Sequence, residues 1–502
     1  MTSRPSIFVL ALLALLPATA AAQNLRIALQ DDPDTLDPAK NWTFVGRHVL
    51  SSLCDKLVDI DPEGRIVPQL ATEWTTAEDG LSVTFKLRSG VTFHDGEAFD
   101  AAAVKFNVER ELTLPGSRRK SEIAAVASAE IVDPLTVRLR LKAPFAPLVA
   151  QFTDRAGMMV APKAAAEAGD KFDQHPVCAG PYKFVERVPQ DRIVLEMYPG
   201  YWNAARYHFA RVTFLPISDA SVRFANLRAG QLDLIERLAP SDLEALKADK
   251  SLAWAAVTGL AYQGITFNVG NGDGAKNPFA KDKRLRQALE LSLDRKAIDE
   301  VAFNGLFAVG NQPFPPGTPY YVADRPVPGR DVAKAKALLA EAGMPHPHLT
   351  LLVPTNNELR PVAQLVQDMA KEAGIDIELQ SIELITMLAE ARQGKFEADL
   401  IGWSGRVDPD GNTSLLLACG AAGNDGHYCN PAFDKLLEAA RETTDEARRK
   451  TLYAEAVRIL LDDRPIIYLY HQKWLYGMSA RITGFTAYPD GLMRLGGVAE
   501  KG

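Results

Sequence analysis

No stretch of this chain reads as a tether. Short segments with strand-like patterning, at 81–87, 135–141, 192–198, 212–217 and 349–353, are interleaved with segments of helical patterning. The helical segments fall at 47–58, 241–248, 283–304, 331–342, 361–373 and 434–461. Between them lie turns, with no internal repeat and no low-complexity linker. At 502 residues the chain is too long for one core, so two or three packed units are implied. Mixed elements in this order give an α/β fold of sheets flanked by helices. Units joined by ordinary strand suit a hinge better than a flexible tether.

The N-terminus places the chain outside the cytoplasm. Arg4 precedes an apolar run at 7–16, then Pro17 and small residues at 18–22. This is the layout of a signal peptide spanning 1–22, cleaved after Ala22. The run is about half the length that crosses a bilayer. No cysteine sits at the cleavage point, so lipid modification is not supported. The expected mature chain starts at Gln23 and is soluble and exported. Four cysteines fit an oxidising compartment. Cys419 and Cys429 flank a turn rich in Gly, Asn and Asp, and a local disulfide is expected there. Cys54 and Cys178 either pair or stay as buried thiols. Their spacing supports no metal site. A net charge of −7 argues against a nucleic-acid groove or a basic membrane patch.

The stretch 398–412, ADLIGWSGRVDPDGN, carries the chemistry. A short apolar strand ends in an aromatic and enters a polar turn, a good wall for a small-molecule pocket. Trp403 offers a flat apolar face and Arg406 a planar charged fork. The plain alternative is a surface loop with a packed tryptophan and an Asx turn at 408–412.

Residues 70–106 read LATEWTTAEDGLSVTFKLRSGVTFHDGEAFDAAAVKF. Val83, Phe85 and Leu87 share one face of a half-buried strand, 94–97 is a tight turn, and Asp100 caps a helix over 101–110. Ala71, Trp74, Asp79-Gly80, Gly90-Val91, the 93–97 turn, Val104 and Phe106 resemble the signature of the family 5 extracellular solute-binding proteins. These are the dipeptide-, oligopeptide- and nickel-binding components of bacterial ABC importers. Further matches follow in order: AGPY at 179–182, Tyr201-Trp202-Asn203, LRAGQLD at 227–233, ITFNV at 265–269, the helices from Lys283 and Asp331, and Gly402-Trp403. Cys178-Ala179 departs from the usual Gly-Thr. The resemblance covers essentially the whole mature chain.

It implies a two-lobed periplasmic binding protein type II fold with an extra subdomain and a hinged cleft. Lobe I would take 23–263 and a C-terminal return at 474–502, with the subdomain at about 63–175. Lobe II would take 264–473. The chain would cross near 264–269 and near 468–474. The implied function is capture of a peptide or peptide-like solute by hinge closure and delivery to an inner-membrane ABC permease. The protein would be a monomer without nucleic acid, cofactor or catalysis.

In dipeptide-binding relatives an aspartate after the Gly-Trp block pairs with the peptide ammonium. Here Arg406 stands at that position. Either Arg406 grips a ligand carboxylate bidentately, or it pairs with Asp408 or Asp410 and faces away. A third case moves Asp408 into the ammonium role. Trp403 stacks on the ligand or packs in the core, and Asn268 bonds ligand backbone or hinge amides. Tyr262 and Thr43-Phe44 fall at the cleft edge. Asn356, Asn357 and Arg360 open a helix, where amides favour anions or are simply capped. A secreted hydrolase is the rival class, but no nucleophile elbow, HExxH pair or carboxylate pair in context supports it. A non-peptide ligand, such as an opine-like acid, a metal chelate or haem, is the other alternative, and a chemosensory role stays open.

Overall fold

A computed structural model describes residues 23–356 and 358–501, so the expected signal peptide and Asn357 lie outside the described residues. Two sheets with separate cores organise the chain. The first has seven strands, in the order 252–258, 473–479, 234–235, 24–29, 211–216, 192–197 and 182–188. Asn24–Leu29 runs parallel to Arg211–Pro216 and to Leu234–Ile235, and the remaining pairs are antiparallel. Leu25, Ile27 and Leu29 anchor its core with Val49, Leu53 and Phe214. The second sheet has six strands, in the order 308–309, 466–471, 262–267, 398–403, 348–354 and 376–382. Ile265, Leu351, Leu400 and Leu469 are buried in its core with Val362 and Val366.

A four-stranded antiparallel sheet is inserted between the first and later strands of lobe I. Its strand Ser82–Leu87 buries Val83, Phe85 and Leu87, as the alternation requires. Asp100 caps the following helix, Ala101–Thr113, by accepting from the amides of Ala102 and Ala103 at 2.9 and 3.0 Å.

Two long helical patterns are each divided by an aspartate. The 283–304 segment forms Lys283–Ser292 and Arg295–Phe303, because Asp294 caps the amides of Lys296 and Ala297. The 434–461 segment lies in Pro431–Glu442 and Glu446–Asp463, the second capped by Asp445. A short polar side chain bonding backbone amides starts a new helix where periodicity alone continues the old one.

The chain passes between the sheets at 259–261 and at Gln472. The 264–269 stretch lies past the first crossing. Its strand Tyr262–Phe267 sits inside the second sheet, paired on both sides. The two crossings touch. The Gly259 amide donates to the Gln472 carbonyl at 3.1 Å, and His471 Nδ1 is 2.9 Å from the Ala261 carbonyl. A Cβ on Gly259 would lie 2.5 Å from Trp474 Nε1, so only glycine lets the segments approach this closely.

Both cysteine pairs are joined, Cys419 to Cys429 and Cys54 to Cys178. The second bond ties the end of the helix Phe44–Leu53 to the chain just before Gly180, across a sequence separation of 124.

Asp399, on the strand Ala398–Trp403, is buried, and burial, with the Asp425 charge second, raises its pKa to about 8. Since the folded value lies above the unfolded one, the protonated form favours the fold. The stability it contributes is present below about pH 4 and is lost as pH rises to about 8. Melting temperature against pH for Asp399→Asn should show a flatter decline across that window than the parent. From loop length, the Cys54–Cys178 bond is worth about 4–5 kcal/mol and the Cys419–Cys429 bond about 3. Chemical denaturation of the two paired Cys→Ala variants should therefore find the Cys54/Cys178 variant less stable.

Candidate functional site

Polar side chains from three parts of the chain converge where the lobes meet. Asn41 lies just before the helix Phe44–Leu53 and Arg47 in its first turn, and Arg119, Glu122, Asp154 and Arg155 come from the inserted unit. Arg406 comes from the far lobe. Asp154 is their centre. Arg47 Nε donates to its Oδ1 at 3.0 Å, Arg406 Nε lies 2.8 Å from its Oδ2, and Arg155 Nε is 3.5 Å away. Arg155 Nη1 donates to the carbonyl and side-chain oxygens of Asn41 at 3.0 and 2.9 Å, and Arg119 Nη2 donates to the same carbonyl at 3.2 Å. Arg119 also pairs with Glu122. Gly46 makes this possible, because a Cβ there would sit 2.0 Å from Asn41 Nδ2.

Burial alone would raise the Asp154 pKa, but Arg406, Arg47 and Arg155 outweigh it and hold the carboxyl well below its usual range. The opposite holds for the cations. Burial and then the Arg119 charge push Arg155 well below the usual guanidinium value. Burial, with Arg47 and Arg119 adding to it, pushes Arg406 down to about 10 against the pull of Asp154. Positive charge is crowded here beyond what the carboxylates offset.

The loop after Trp403 presents Arg406 by locking itself. Asn412 Oδ1 accepts from Trp403 Nε1 at 3.0 Å and from the Arg406 amide at 2.7 Å, while its Nδ2 donates to the Arg406 carbonyl at 2.8 Å. The Arg406 guanidinium then lies 4.5 Å from the centre of the Trp403 ring. Arg406 pairs with neither Asp408 nor Asp410. Arg449 donates to both oxygens of Asp408 at 2.9 Å, and Arg441 donates to Asp410 at 2.6 and 3.2 Å. These arginines stand on helices of the same lobe, so both carboxylates are neutralised there and Arg406 turns across the cleft. Asp408 is thereby committed away from the seam, and the third case, an ammonium partner at this position, is not assembled.

The other expected residues divide. Phe44 is at the seam, stacked on Trp474 with ring centres 4.7 Å apart. Asn356 lines an interlobe cavity and also caps, its Oδ1 accepting from the Leu359 amide at 2.8 Å. Asn268 is not brought to the cleft. It is fully buried, donating to the carbonyls of Asn271 and Phe396 and accepting from the Asn271 amide. Tyr262 belongs to the lobe II core, edge-on to Tyr468. Tyr262 faces inward from its strand, and Asn268, just past the strand's end, is held inward by the turn it bonds.

Two cavities open along the seam. One, of about 260 Å³, is lined by Gln30, Arg237, Phe303, Asn356, Glu358 and Trp474. The other, of about 240 Å³, is lined by Ser121, Glu122, Gln151, Arg406, Ser414 and Arg441. Each adjoins an ion pair between lobes, Arg237–Glu358 at 3.6 Å and Arg406–Asp154 at 2.8 Å. Arg237 holds a left-handed backbone, φ 48°, with its guanidinium 5.1 Å from the Trp474 ring centre and 5.5 Å from that of Phe44. Trp42 of lobe I lies between Arg118 and Arg392, each 5.4 Å from its ring centre. Sequence reasoning missed Arg47, Arg119, Asp154, Arg155 and Arg237. The one local signal was charge set among apolar residues, as where Asp154-Arg155 stands between Phe152 and Met158.

Two lobes, two adjoining crossings and a polar seam with cavities define a type II solute-binding protein. The family model for bacterial extracellular solute-binding proteins, family 5, matches residues 65–425. The chain is 32% identical over 486 residues to the glutathione-binding protein GsiB of Pectobacterium atrosepticum, covering 94% of this chain and 93% of that one. It is 30% identical over 491 residues to GsiB of Salmonella paratyphi A, covering 95% and 94%. A crystal structure of a dipeptide-binding protein from Pseudoalteromonas in complex with Met-Leu matches with a TM-score of 0.88 at 24% identity, covering 95% of this chain and 100% of that one. AgaA of A. tumefaciens in complex with agropinic acid matches with a TM-score of 0.86 at 26% identity, covering 95% and 99%. The chain belongs to the family 5 bacterial extracellular solute-binding proteins, the solute-capturing components of ABC importers. Among the described residues, no helix is long and apolar enough to cross a membrane.

Removing one partner of a buried ion pair leaves the other uncompensated, at a cost of about 3–5 kcal/mol. Asp154 serves three guanidiniums and Arg406 serves one carboxylate. Asp154→Asn should therefore lower the unfolding free energy more than Arg406→Met. A double-mutant cycle in urea should give a coupling well above the experimental error.

Proposed function

We propose that this protein captures a peptide or peptide-like solute of the glutathione class between its lobes by hinge closure. It then delivers the solute intact to an inner-membrane ABC permease. It acts as a periplasmic monomer once residues 1–22 are removed. The observation that carries this reading is the make-up of the seam. Ion pairs, arginine–tryptophan contacts and a backbone hydrogen bond from the Ala146 amide to the Arg441 carbonyl at 2.7 Å join the lobes, and cavities adjoin them. A seam of this kind releases readily to water, so closure depends on what the enclosed solute adds to both sides. Asn356 and Arg406 line that space and supply an amide and a cation, with Phe44 stacked on the cavity-lining Trp474 and the Trp403 ring against the Arg406 guanidinium. The relatives named for glutathione support the peptide-like class.

An opine-like acid is the second reading. AgaA, described with agropinic acid, supports it, and Arg406 suits its carboxylates. Purified protein should be titrated with glutathione, plain dipeptides and an opine-like acid while melting temperature and radius of gyration are followed. A ligand at 100 times its Kd should stabilise the fold by about 2.7 kcal/mol. The radius of gyration should fall, and mass spectrometry should recover the ligand unaltered. Hydrolysis products would instead favour the secreted-hydrolase alternative.

A further inference from the structure

The cluster around Asp154 holds more positive than negative charge. Arg47, Arg119, Arg155 and Arg406 face the carboxylates of Asp154 and Glu122. Of the further acids that feel these cations, Glu111 is buried, and burial raises its pKa well above the usual carboxylate range, which favours its neutral form, while Asp490, near Arg47, is bound by Arg494. The two other acids on the lobe II loop are bound by Arg449 and Arg441. Arg119, Asp154 and Arg155 are 0%, 3% and 2% exposed, so bulk water screens the surplus poorly. Among the described residues, the buried Arg119 Nε–H donates no hydrogen bond, and the Arg155 Nε–H meets Asp154 only at the 3.5 Å of a loose ion pair. Buried guanidinium donors without acceptors are costly, and an anion removes that cost.

We infer that the captured solute carries a net negative charge, with a carboxylate not balanced by its own ammonium seated against Arg406, the cation of this cluster that lines a cavity. This rests on the capture reading and narrows it. The cavity lined by Arg406 and Glu122 reaches this cluster from the side where the inserted unit faces lobe II. Asp154 already bridges Arg47 of lobe I and Arg406 of lobe II through its two oxygens. A ligand carboxylate would add a second bridge of the same kind, so its charge would favour the closed form as well as binding itself. A zwitterionic dipeptide brings no net charge and leaves the surplus in place. A peptide with an acidic side chain, or one whose glutamate is linked through its γ-carboxyl, brings a free carboxylate.

Isothermal titration of the wild-type protein with matched probes tests this. The probes are alanyl-alanine, glutamyl-alanine, glutamyl-glutamate, lysyl-alanine, glutathione, and glutathione amidated at its glycine carboxyl. Glutamyl-alanine should bind at least about tenfold more tightly than alanyl-alanine, a difference of about 1.4 kcal/mol. Glutathione should exceed its amide by a similar factor. Arg406→Gln should reduce both ratios by more than it weakens alanyl-alanine. If that variant does not fold, the wild-type ratios decide. Equal affinity across each matched pair, or preference for lysyl-alanine, overturns the charge assignment and leaves peptide capture standing. Failure of every probe to bind overturns peptide capture and this inference with it.

Discussion

The contact between Asp154 and Arg406 joins the halves of the molecule, and its environment gives it consequence. An exposed ion pair of this length contributes little. Here the carboxylate is buried and also holds Arg47 and Arg155, so three cations depend on one acid. Removing any partner from such an arrangement leaves a buried charge uncompensated, which is costly. Opening the cleft would return Arg406 to water and leave Asp154 with its own-lobe arginines. Closing it over an anion would supply acceptors that the protein itself provides sparingly. The residues that join the lobes are thus the ones proposed to discriminate the solute.

The two crossings are held to each other. Gly259 packs against Trp474 and bonds to Gln472, so the connecting segments form one contact between the lobes. Trp474 also stacks with Phe44, beside which Arg237 lies in its left-handed conformation. The hinge and the cavity wall therefore share residues. A backbone held in a sparsely populated region persists only when its surroundings over-determine it, and here aromatic rings and Glu358 from the far lobe do so.

Much of the architecture was legible. Strand alternation at 81–87, the Asp100 cap and the matched blocks from 70 onward are local patterns with local causes. Where a reading failed, a local rule met a stronger competitor. Periodicity ran through Asp294 and Asp445, which in fact begin new helices by bonding backbone amides. Asn268 looked available because it follows a strand, but its amide is consumed by nearby carbonyls. The family resemblance implies a crossing near 264–269, whereas the pairing of Tyr262–Phe267 on both edges fixes that strand within one lobe.

The sequence alone determined the family, the α/β class, the expected export signal and the exchange of an acid for Arg406 after the Gly-Trp block. Each of these is written in neighbouring residues or in their types. Only the tertiary structure decided whom Arg406 would meet. Its partner lies in another lobe, and the acids beside it in the chain are taken by arginines from helices that reach them only after folding. Charges pair by distance in space, and spacing along a chain carries little of that distance once several lobes fold back on one another.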